Sequence, residues 1–459
     1  MRSRELHEVR GITADSRAVR PGFLFAALPG LKMDGRRFIA DAVARGAVAV
    51  LAPEGTVWPP GVPPRPLFCP AQPRARLAEL AVELAGRMPE RLVAVTGTNG
   101  KTSTVDFLRQ ILTLAGRSAA SMGTLGLIAP GVAGGDSLTT PDPVSLADTL
   151  AGLARLGVSD VALEASSHGI AQHRLDGLRF AAAGFTNLTR DHLDYHGSMA
   201  AYAQAKLRLF EALTAPDAPV RVMADIEPGI LARLREIAAQ RRQDFATVQV
   251  ESTPLPGGQM VRALDEEAML NLPGRFQADN AALAAALAGA LGVAQPMQFL
   301  PRLQPVRGRL ERALLLPNGA AAYVDYAHTP DAINRVLSAL RPHAAGRLWI
   351  VFGAGGDRDA GKRPLMGAAA IKGADGVIVT DDNPRGENPA LIRAAILAAA
   401  PGAREIGDRR AAIAAGLAAL GKDDVLVVAG KGHEQGQIIG DQVIPFDDAA
   451  VLRELGGVR

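Results

Sequence analysis

Val93-Ala94-Val95-Thr96-Gly97-Thr98-Asn99-Gly100-Lys101-Thr102-Ser103 passes from an apolar run into a glycine-rich turn and then into a segment with helical spacing. Val105, Leu108, Ile111 and Leu112 line one side of that segment, and Gly116 is a plausible stop, so the pattern predicts strand, loop and helix. Backbone N–H groups in such a loop, with the positive end of the helix dipole behind them, make a cradle for phosphate oxygens. Lys101 is placed to reach the terminal phosphates and the Thr102 hydroxyl to ligate Mg²⁺. The first glycine of the full P-loop pattern falls on Val95, which leaves the shorter core Gly97-x-x-Gly100-Lys101-Thr102. A Gly-Lys-Thr alone can be an ordinary helix start; the buried-type strand before it favours nucleotide binding.

From Arg91 onward strands and helices alternate, the signature of a parallel sheet with crossover helices. A helix from about Ser145 to Leu156 leads to the strand Val161-Ala162-Leu163, which delivers Glu164 at its carboxyl end, where ligands bind in such sheets. Glu164 reads either as a Mg²⁺ carboxylate or as a capping, salt-bridged residue. The strand Ala181–Phe185 runs into Thr186–Gly197, where Asp191, His192, Asp194 and His196 fall within six residues. They invite a metal reading, and without a nearby thiolate magnesium fits better than zinc; turn caps and core histidines are the other reading. Ser198 is expected to cap a helix to about Leu213, with Tyr202, Lys206 and Leu209 on one face. A lysine turned toward such a site would have a depressed pKa, and a neutral amine can react with carbon dioxide.

The residues before Arg91 read as a small mixed domain: strands Phe23–Leu28 and Ala47–Leu51, a helix from Asp34 to Arg45, and a Pro-rich loop or edge from Trp58 to Pro73. Asp15-Ser16-Arg17 is a polar turn, solvated or ligand-binding. Val220–Leu272 is weakly patterned and is expected to finish the central sheet. An Ala-rich helix opens at Gly274–Gln277 with Asn280 in its first turn, and Gln304–Gly308 reads as a linker. A second βα series follows, with strands Ala321–Val324, Leu348–Phe352, Gly376–Val379 and Val425–Val428 each ending in a polar cluster. Four clusters on one sheet edge are a functional pattern. Gly353-Ala354-Gly355 resembles the start of a dinucleotide fingerprint, but its third glycine falls on Arg358.

The chain has 459 residues, and at ~150 per domain about three domains are expected. Hydrophobic residues at 48% with 21% charged residues are globular in character, and 50 basic against 47 acidic residues give no reason to expect nucleic acid. One cysteine, Cys69, excludes an internal disulfide framework and fits a reducing compartment. Met1–His7 lacks the apolar core of a signal peptide, and no apolar stretch is long enough to span a bilayer. A cytoplasmic location without membrane insertion is expected.

Together the motifs resemble those of the Mur ligase family of bacterial cell-wall synthesis. The resemblance rests on Thr96-Gly-Thr-Asn-Gly-Lys-Thr102, Glu164-Ala-Ser-Ser-His-Gly-Ile-Ala-Gln-His-Arg174, Thr186-Asn-Leu-Thr-Arg-Asp-His-Leu-Asp-Tyr-His-Gly197, Asp325-Tyr-Ala-His-Thr-Pro330, Asp382-Asn-Pro-Arg385 and Gly430-Lys-Gly-His-Glu434. It implies an α/β protein of three domains: residues 1–90, small, mixed and binding the UDP-muramoyl substrate; 91–306, a central P-loop parallel-sheet ATPase; and 307–459, Rossmann-like and binding the incoming amino acid. The implied activity is ATP-dependent amide ligation of meso-diaminopimelate to the D-glutamyl γ-carboxylate of UDP-N-acetylmuramoyl-L-alanyl-D-glutamate, through an acyl phosphate, by a cytoplasmic monomer. Closure of the C-terminal domain to keep water from that intermediate is expected.

By the same resemblance, Thr96, Gly97, Thr98, Asn99, Gly100, Lys101 and Thr102 hold ATP phosphates, and Asn280, Arg309 and Asp325 approach the adenosine. Lys101, Glu164, His192 and Lys206 are the catalytic set. Mg²⁺ is implied at Thr102, Glu164, His192 and a carbamylated Lys206. Ser16 meets the uridine diphosphate end, while Thr139, Thr140, Ser166, Gln172 and Arg174 hold the muramoyl-dipeptide. Arg358, Asp382, Asn383, Pro384, Arg385, Gly430 and Glu434 bind diaminopimelate. Gln277 stands where many relatives carry Asn, and Leu138 where some do. The competing readings are a lysine-adding Mur ligase, a folylpolyglutamate-synthetase-like ligase, and a non-catalytic P-loop module.

Overall fold

A computed structural model describes residues 9–30, 33–133, 139–255, 257–357 and 359–457. Met1–His7, Leu138 and Arg358, each used in reading the sequence, lie outside the described residues. Two compact units are formed: one runs to Gln249 and includes Leu283–Pro296, and the other comprises Val250–Ala282 and the chain from Met297 onward.

In the first unit, Gly11–Thr13, Phe23–Ala26, Ala47–Leu51 and Leu67–Phe68 pair in chain order as a parallel sheet. Period-two alternation sorts its residues. Leu24, Ala26, Ala49 and Leu51 pack on Leu77, Leu80 and Ala81 of the helix Pro73–Ala85. Phe25, Ala27 and Val50 pack on Ile39, Ala42 and Val43 of the helix Ile39–Ala44. The Pro-rich passage contributes only the edge strand Leu67–Phe68, as expected where prolines remove ladder donors.

The larger sheet of this unit has eight strands, with Arg91–Thr96 between Ala182–Phe185 and Asp160–Glu164. Pairing in register sets Phe185 beside Thr96 and Glu164 beside Val95, so three carboxyl ends lie level. Leu92, Val93, Ala94 and Val95 are all buried, the continuous apolar run of a strand covered on both faces. The helix Lys101–Leu114 follows as predicted, and Asp142 caps Pro143–Arg155 by accepting from the Val144 and Ser145 amides. The helix begun at Ser198 is regular over Met199–Arg208 and then widens to a π-helical turn, Leu209–Leu213, instead of continuing as α-helix.

The expectation for Val220–Leu272 is only half met. Pro219–Met223 and Asp244–Val248 extend the parallel sheet, whereas Glu251–Leu255, Gly258–Ala263 and Glu266–Leu270 form a separate antiparallel sheet in the second unit. The two-residue turn Leu264-Asp265, at φ 53° and 61°, is the left-handed pair that joins tight hairpins. Neither residue is the usual glycine or asparagine at both positions, so the turn was not legible in the sequence.

The second unit is built on a six-stranded sheet ordered Glu311–Leu315, Ala321–Asp325, Val425–Ala429, Leu348–Phe352, Gly376–Val379 and Arg404–Glu405. Only the first pairing is antiparallel. Tyr323, Ile350, Phe352, Val379 and Val427 face one helical layer, through Ile333, Leu337, Met366 and Ile396. Val324, Val351, Ile378, Leu426 and Val428 face the other, through Ile413 and Leu452. The four polar clusters therefore do emerge at the carboxyl edge of one sheet. No helix among the described residues is long and apolar enough to cross a membrane.

Candidate active site

The 96–102 loop is fixed by backbone conformations and neighbours that leave little choice of residue. Gly97 sits at φ 145°, and a Cβ there would stand 1.9 Å from Thr186 Oγ1. Gly100, at φ 86°, is the N-cap of the helix Lys101–Leu114, a left-handed position that favours glycine. Thr98 N donates to the Asn187 carbonyl at 2.8 Å, and its hydroxyl donates to the Thr189 carbonyl at 3.1 Å. The Thr98 hydroxyl also accepts from the Thr189 amide at 2.9 Å and from Tyr202 at 3.2 Å. Asn187 closes the loop from the other side, accepting from the Asn99 amide at 2.9 Å. Lys101 Nζ donates to the carbonyls of Gly97 and Thr98 at 3.0 and 2.8 Å. Thr102 is buried in the first helical turn.

On the neighbouring strand Glu164 is 2% exposed. Its carboxylate accepts from Thr124 N at 2.7 Å and from the Thr124 hydroxyl at 3.2 Å. Gly123 makes room for it, because a Cβ there would lie 2.0 Å from Glu164 Oε1. Thr124 also reaches Thr139, with 3.1 Å between hydroxyl oxygens. Thr140 donates to the Glu164 carbonyl at 3.0 Å and lies 2.9 Å from Ser166 Oγ. Arg174 donates to the Thr140 carbonyl at 2.6 Å and to Gln172 Oε1 at 2.7 Å, and Gln172 reaches the Tyr195 hydroxyl at 3.1 Å. Thr139, Thr140, Ser166, Gln172 and Arg174, separated in sequence, are thus one connected polar surface beside Glu164. Ser16 lies at the four-stranded sheet, buried in the turn Ser16–Ala18 capped by Asp15.

Lys206 is 1% exposed. Its ammonium donates to the Gly97 carbonyl at 2.6 Å and lies 4.4 Å from the centre of the Tyr202 ring. Burial, and then the positive charge of Lys101, hold its pKa well below the usual lysine value, against the pull of Asp191. His192 takes the left-handed backbone at φ 51° and packs edge-on against His168, with ring centres 4.7 Å apart. His196 Nε2 lies 3.0 Å from Ser167 Oγ. No group of three or more His, Cys, Asp or Glu among the described residues is disposed to hold a metal ion.

In the second unit, Asn280 is buried in the helix Arg275–Ala290, and Gln277 Nε2 donates to the Arg309 carbonyl at 2.8 Å. The Arg309 guanidinium lies over the Tyr326 ring at 4.7 Å. Asp325 accepts from Leu310 N at 2.7 Å and Ala327 N at 2.8 Å, and burial raises its pKa to about 6. Asn383 and Glu434 meet directly, Nδ2 to Oε2 at 2.8 Å. Gly430, at φ 112°, approaches Asp382 so closely that a Cβ would stand 2.2 Å from Oδ2. Gly356 meets the Pro384 carbonyl in the same way. Arg385 is left-handed at φ 51°, and its guanidinium donates to the Gly356 carbonyl at 2.9 Å. Asp382 to Arg385, Gly430 and Glu434 are thus one assembled surface.

Thr124 and Asn187 escaped the reading of the sequence, and so did the bond from Tyr202 to the loop. Thr124 follows a strand-ending glycine, a weak signal. Asn187 lies inside a segment read for its histidines, and Tyr202 was read only as sharing a helix face.

Residues 8–80 match the description "Mur ligase family, catalytic domain", 95–288 "Mur ligase middle domain" and 308–432 "Mur ligase, glutamate ligase domain". A protein of Caulobacter vibrioides named UDP-N-acetylmuramoyl-L-alanyl-D-glutamate--2,6-diaminopimelate ligase is 53% identical, over 98% of this chain and 96% of its own. A Rhizobium meliloti protein of the same name is 50% identical, over 98% and 95%. A solved structure with that name is 32% identical with a TM-score of 0.73, covering 98% of this chain and 95% of its own. A Mycobacterium tuberculosis folylpolyglutamate synthase, 20% identical with a TM-score of 0.64 over 84% of this chain and 95% of its own, shares the fold. With three family domains matched in order and relatives at this identity along nearly the whole length, the chain belongs to the Mur ligase family.

Proposed function

We propose that this protein is an ATP-dependent, ADP-forming amide ligase joining meso-diaminopimelate to the D-glutamyl γ-carboxylate of UDP-N-acetylmuramoyl-L-alanyl-D-glutamate in peptidoglycan precursor synthesis. The observation that carries the reading is the convergence of Lys101 and the buried Lys206 on one carbonyl of the 96–102 loop. It is supported by the names of the near-full-length relatives. We take residues 1–90, 91–306 and 307–459 as the substrate, ATP and amino-acid domains, the cytoplasm as the compartment, and the monomer as the working form.

A carboxylate resists attack by an amine until one of its oxygens becomes a leaving group. The γ-carboxylate attacks the γ-phosphorus of ATP, the bond to the β–γ bridging oxygen breaks, and ADP departs. The amine of the amino acid then attacks the acyl carbon and phosphate leaves. Lys101, on its flexible stem, turns from the loop carbonyls to the phosphates and offsets charge shared by them and the incoming carboxylate. Asn280, Arg309 and Asp325 are the proposed adenosine contacts. The surface of Thr139, Thr140, Ser166, Gln172 and Arg174 orients the dipeptide, with Ser16 at the uridine end.

The residues suit a magnesium ion. Glu164 offers a buried carboxylate held by neutral donors, and Lys206 is a buried amine beside another cation. A neutral Lys206 adds carbon dioxide, forming an N–C bond and releasing a proton, and the resulting carbamate puts an anion near the phosphates where the uncharged amine stood. Thr102, Glu164, His192 and that carbamate would hold the ion, which supplies charge neutralisation among phosphate oxygens.

Diaminopimelate differs from lysine by a far-end carboxylate, which the planar guanidinium of Arg385 matches in two-point fashion. Asp382, Asn383, Pro384, Gly430, Glu434 and Arg358 complete the proposed amino-acid site. A site built for that charge rejects lysine by roughly 10⁴-fold or more. The test is phosphate release from ATP with the UDP-muramoyl-dipeptide and a panel of amino acids. Release should require both substrates and favour diaminopimelate; equal rates with L-lysine would overturn the assignment.

A further inference from the structure

Lys431 is fully buried, with no side-chain exposure. An ammonium is removed from water only where its three donors find acceptors. It reaches Asn383 Oδ1 at 3.0 Å, Glu434 Oε2 at 3.3 Å and the Gly436 carbonyl. Two of these acceptors belong to the proposed amino-acid site, and the third begins the hairpin of Gly436–Ile439 and Gln442–Pro445.

The first strand of that hairpin and its turn are tied to the 382–385 segment. Gln437 Nε2 donates to the Asp382 carbonyl at 2.8 Å, and Ile438 N donates to Asn383 Oδ1 at 2.9 Å. Arg385 N donates to the Ile438 carbonyl at 3.0 Å, and Gly440 N to the Arg385 carbonyl at 2.8 Å. Meanwhile Val443 is 67% exposed and Ile439 and Ile444 are each 44% exposed. A two-stranded hairpin with its apolar side chains so exposed is marginal by itself. Its order comes largely from the bonds it makes to Asp382, Asn383 and Arg385. Those same bonds hold Arg385 in the left-handed backbone that a non-glycine residue rarely adopts.

We propose that Lys431 and the Gly436–Pro445 hairpin are positioning elements for amino-acid selectivity: Lys431 fixes the Asn383 amide against the Glu434 carboxylate, and the hairpin fixes the backbone from which Arg385 projects. The inference rests on the proposed function, in which those residues receive the amino acid. Neither Lys431 nor Gln437 needs to touch it.

The experiment measures KM for diaminopimelate, ATP and the UDP-muramoyl-dipeptide, and the ratio of kcat/KM for diaminopimelate over L-lysine, in wild type, Gln437→Glu and Lys431→Met. Gln437→Glu keeps the shape of the side chain, removes the donor to Asp382 and sets a negative charge against that carbonyl. It should raise the diaminopimelate KM about tenfold, the scale of one hydrogen bond, and lower the selectivity ratio, with the other two KM values within about twofold. Gln437→Asn, which retains an amide donor, should recover part of the loss. Lys431→Met should act more strongly in the same direction; if it does not fold, Gln437→Glu decides alone. An active wild type whose variants change all three KM values alike, or leave the selectivity ratio unmoved, overturns this inference. A wild type inactive with diaminopimelate overturns the functional reading instead.

Discussion

Lys206 Nζ lies 2.6 Å from the Gly97 carbonyl oxygen, the oxygen that Lys101 also contacts at 3.0 Å. Two amines on one acceptor, one of them buried, cannot both be charged cheaply, and the burden falls on Lys206. Its folded pKa lies below the unfolded value of 10.5. The unfolded chain therefore binds the extra proton, and this group's contribution to stability rises with pH up to about 10.5. Lys206→Met should flatten that rise in urea titrations at several pH values. Lys206→Ala should lower the rate of phosphate release by about 100-fold or more, and added short carboxylic acids should restore part of it. Full activity of Lys206→Ala would remove the carbamate from the proposal.

Asp325 shifts the other way. Burial lifts its pKa from 3.8 to about 6 despite two amide donors. Between those values the folded protein holds a proton that the unfolded chain has lost. The stabilisation is complete below pH 3.8 and disappears as pH rises through about 6, a change of roughly 3 kcal/mol at most. Asp325→Asn should abolish that slope. One amide oxygen replaces two carboxylate oxygens, so a donor from Leu310 or Ala327 goes short at about 1–3 kcal/mol, but above pH 6 the variant no longer carries the roughly 3 kcal/mol cost of the buried charge, so stability there should change little. A slope unchanged in the variant would assign the pH dependence to other groups.

Glu164 depends on the absence of a side chain at Gly123. A Cβ at that position would overlap the carboxyl oxygen, its carbon and the preceding methylene. Gly123→Ala must therefore push the carboxylate off Thr124. Gly123 lies at a strand end with a φ open to alanine, so the melting temperature should drop by only a few degrees. Activity should fall about 100-fold, the scale of an ångström misplacement in a catalytic centre. Thr124→Val, which removes one of the two donors, should lie between that variant and wild type. If Gly123→Ala keeps wild-type activity, Glu164 has no role at the reacting centre.

What the sequence made legible follows physical rules of different reach. The parallel strands stood out because burial on both faces forces continuous apolar runs, as at Val93–Val95 and Ile350–Phe352. Glu164 and the four polar clusters were legible because topology places carboxyl strand ends together. The antiparallel sheet of Glu251–Leu270 was not, since its strands are half-exposed and the last two meet through Leu264-Asp265, a turn without glycine. Thr124 beside Glu164 and Lys431 beside Asn383 and Glu434 are contacts closed by the fold. Lys431 in particular looks like any lysine in a polar loop until its burial is seen.

Arg409 and Asp448 form an ion pair with neither side chain exposed, at 2.7 Å. Arg409 also donates to the Ala429 carbonyl at 3.0 Å and the Asp381 carbonyl at 3.3 Å, immediately before Gly430 and Asp382. Arg409→Met leaves a buried carboxylate without its cation and should cost about 3–5 kcal/mol. Asp448→Leu strands the guanidinium and should cost a similar amount. In Arg409→Met/Asp448→Leu no charge is left buried, so the loss should be much smaller than the sum of the single effects. It should not vanish, because the two carbonyls still lack their donor, at about 1 kcal/mol each. Urea denaturation of the two single variants and the double variant closes the cycle. Strict additivity would mean that the charges are solvated and the pair does no work. A double variant as stable as wild type would mean that the carbonyl bonds contribute nothing, and with them the anchoring of the strand ends that carry Asp382 and Gly430.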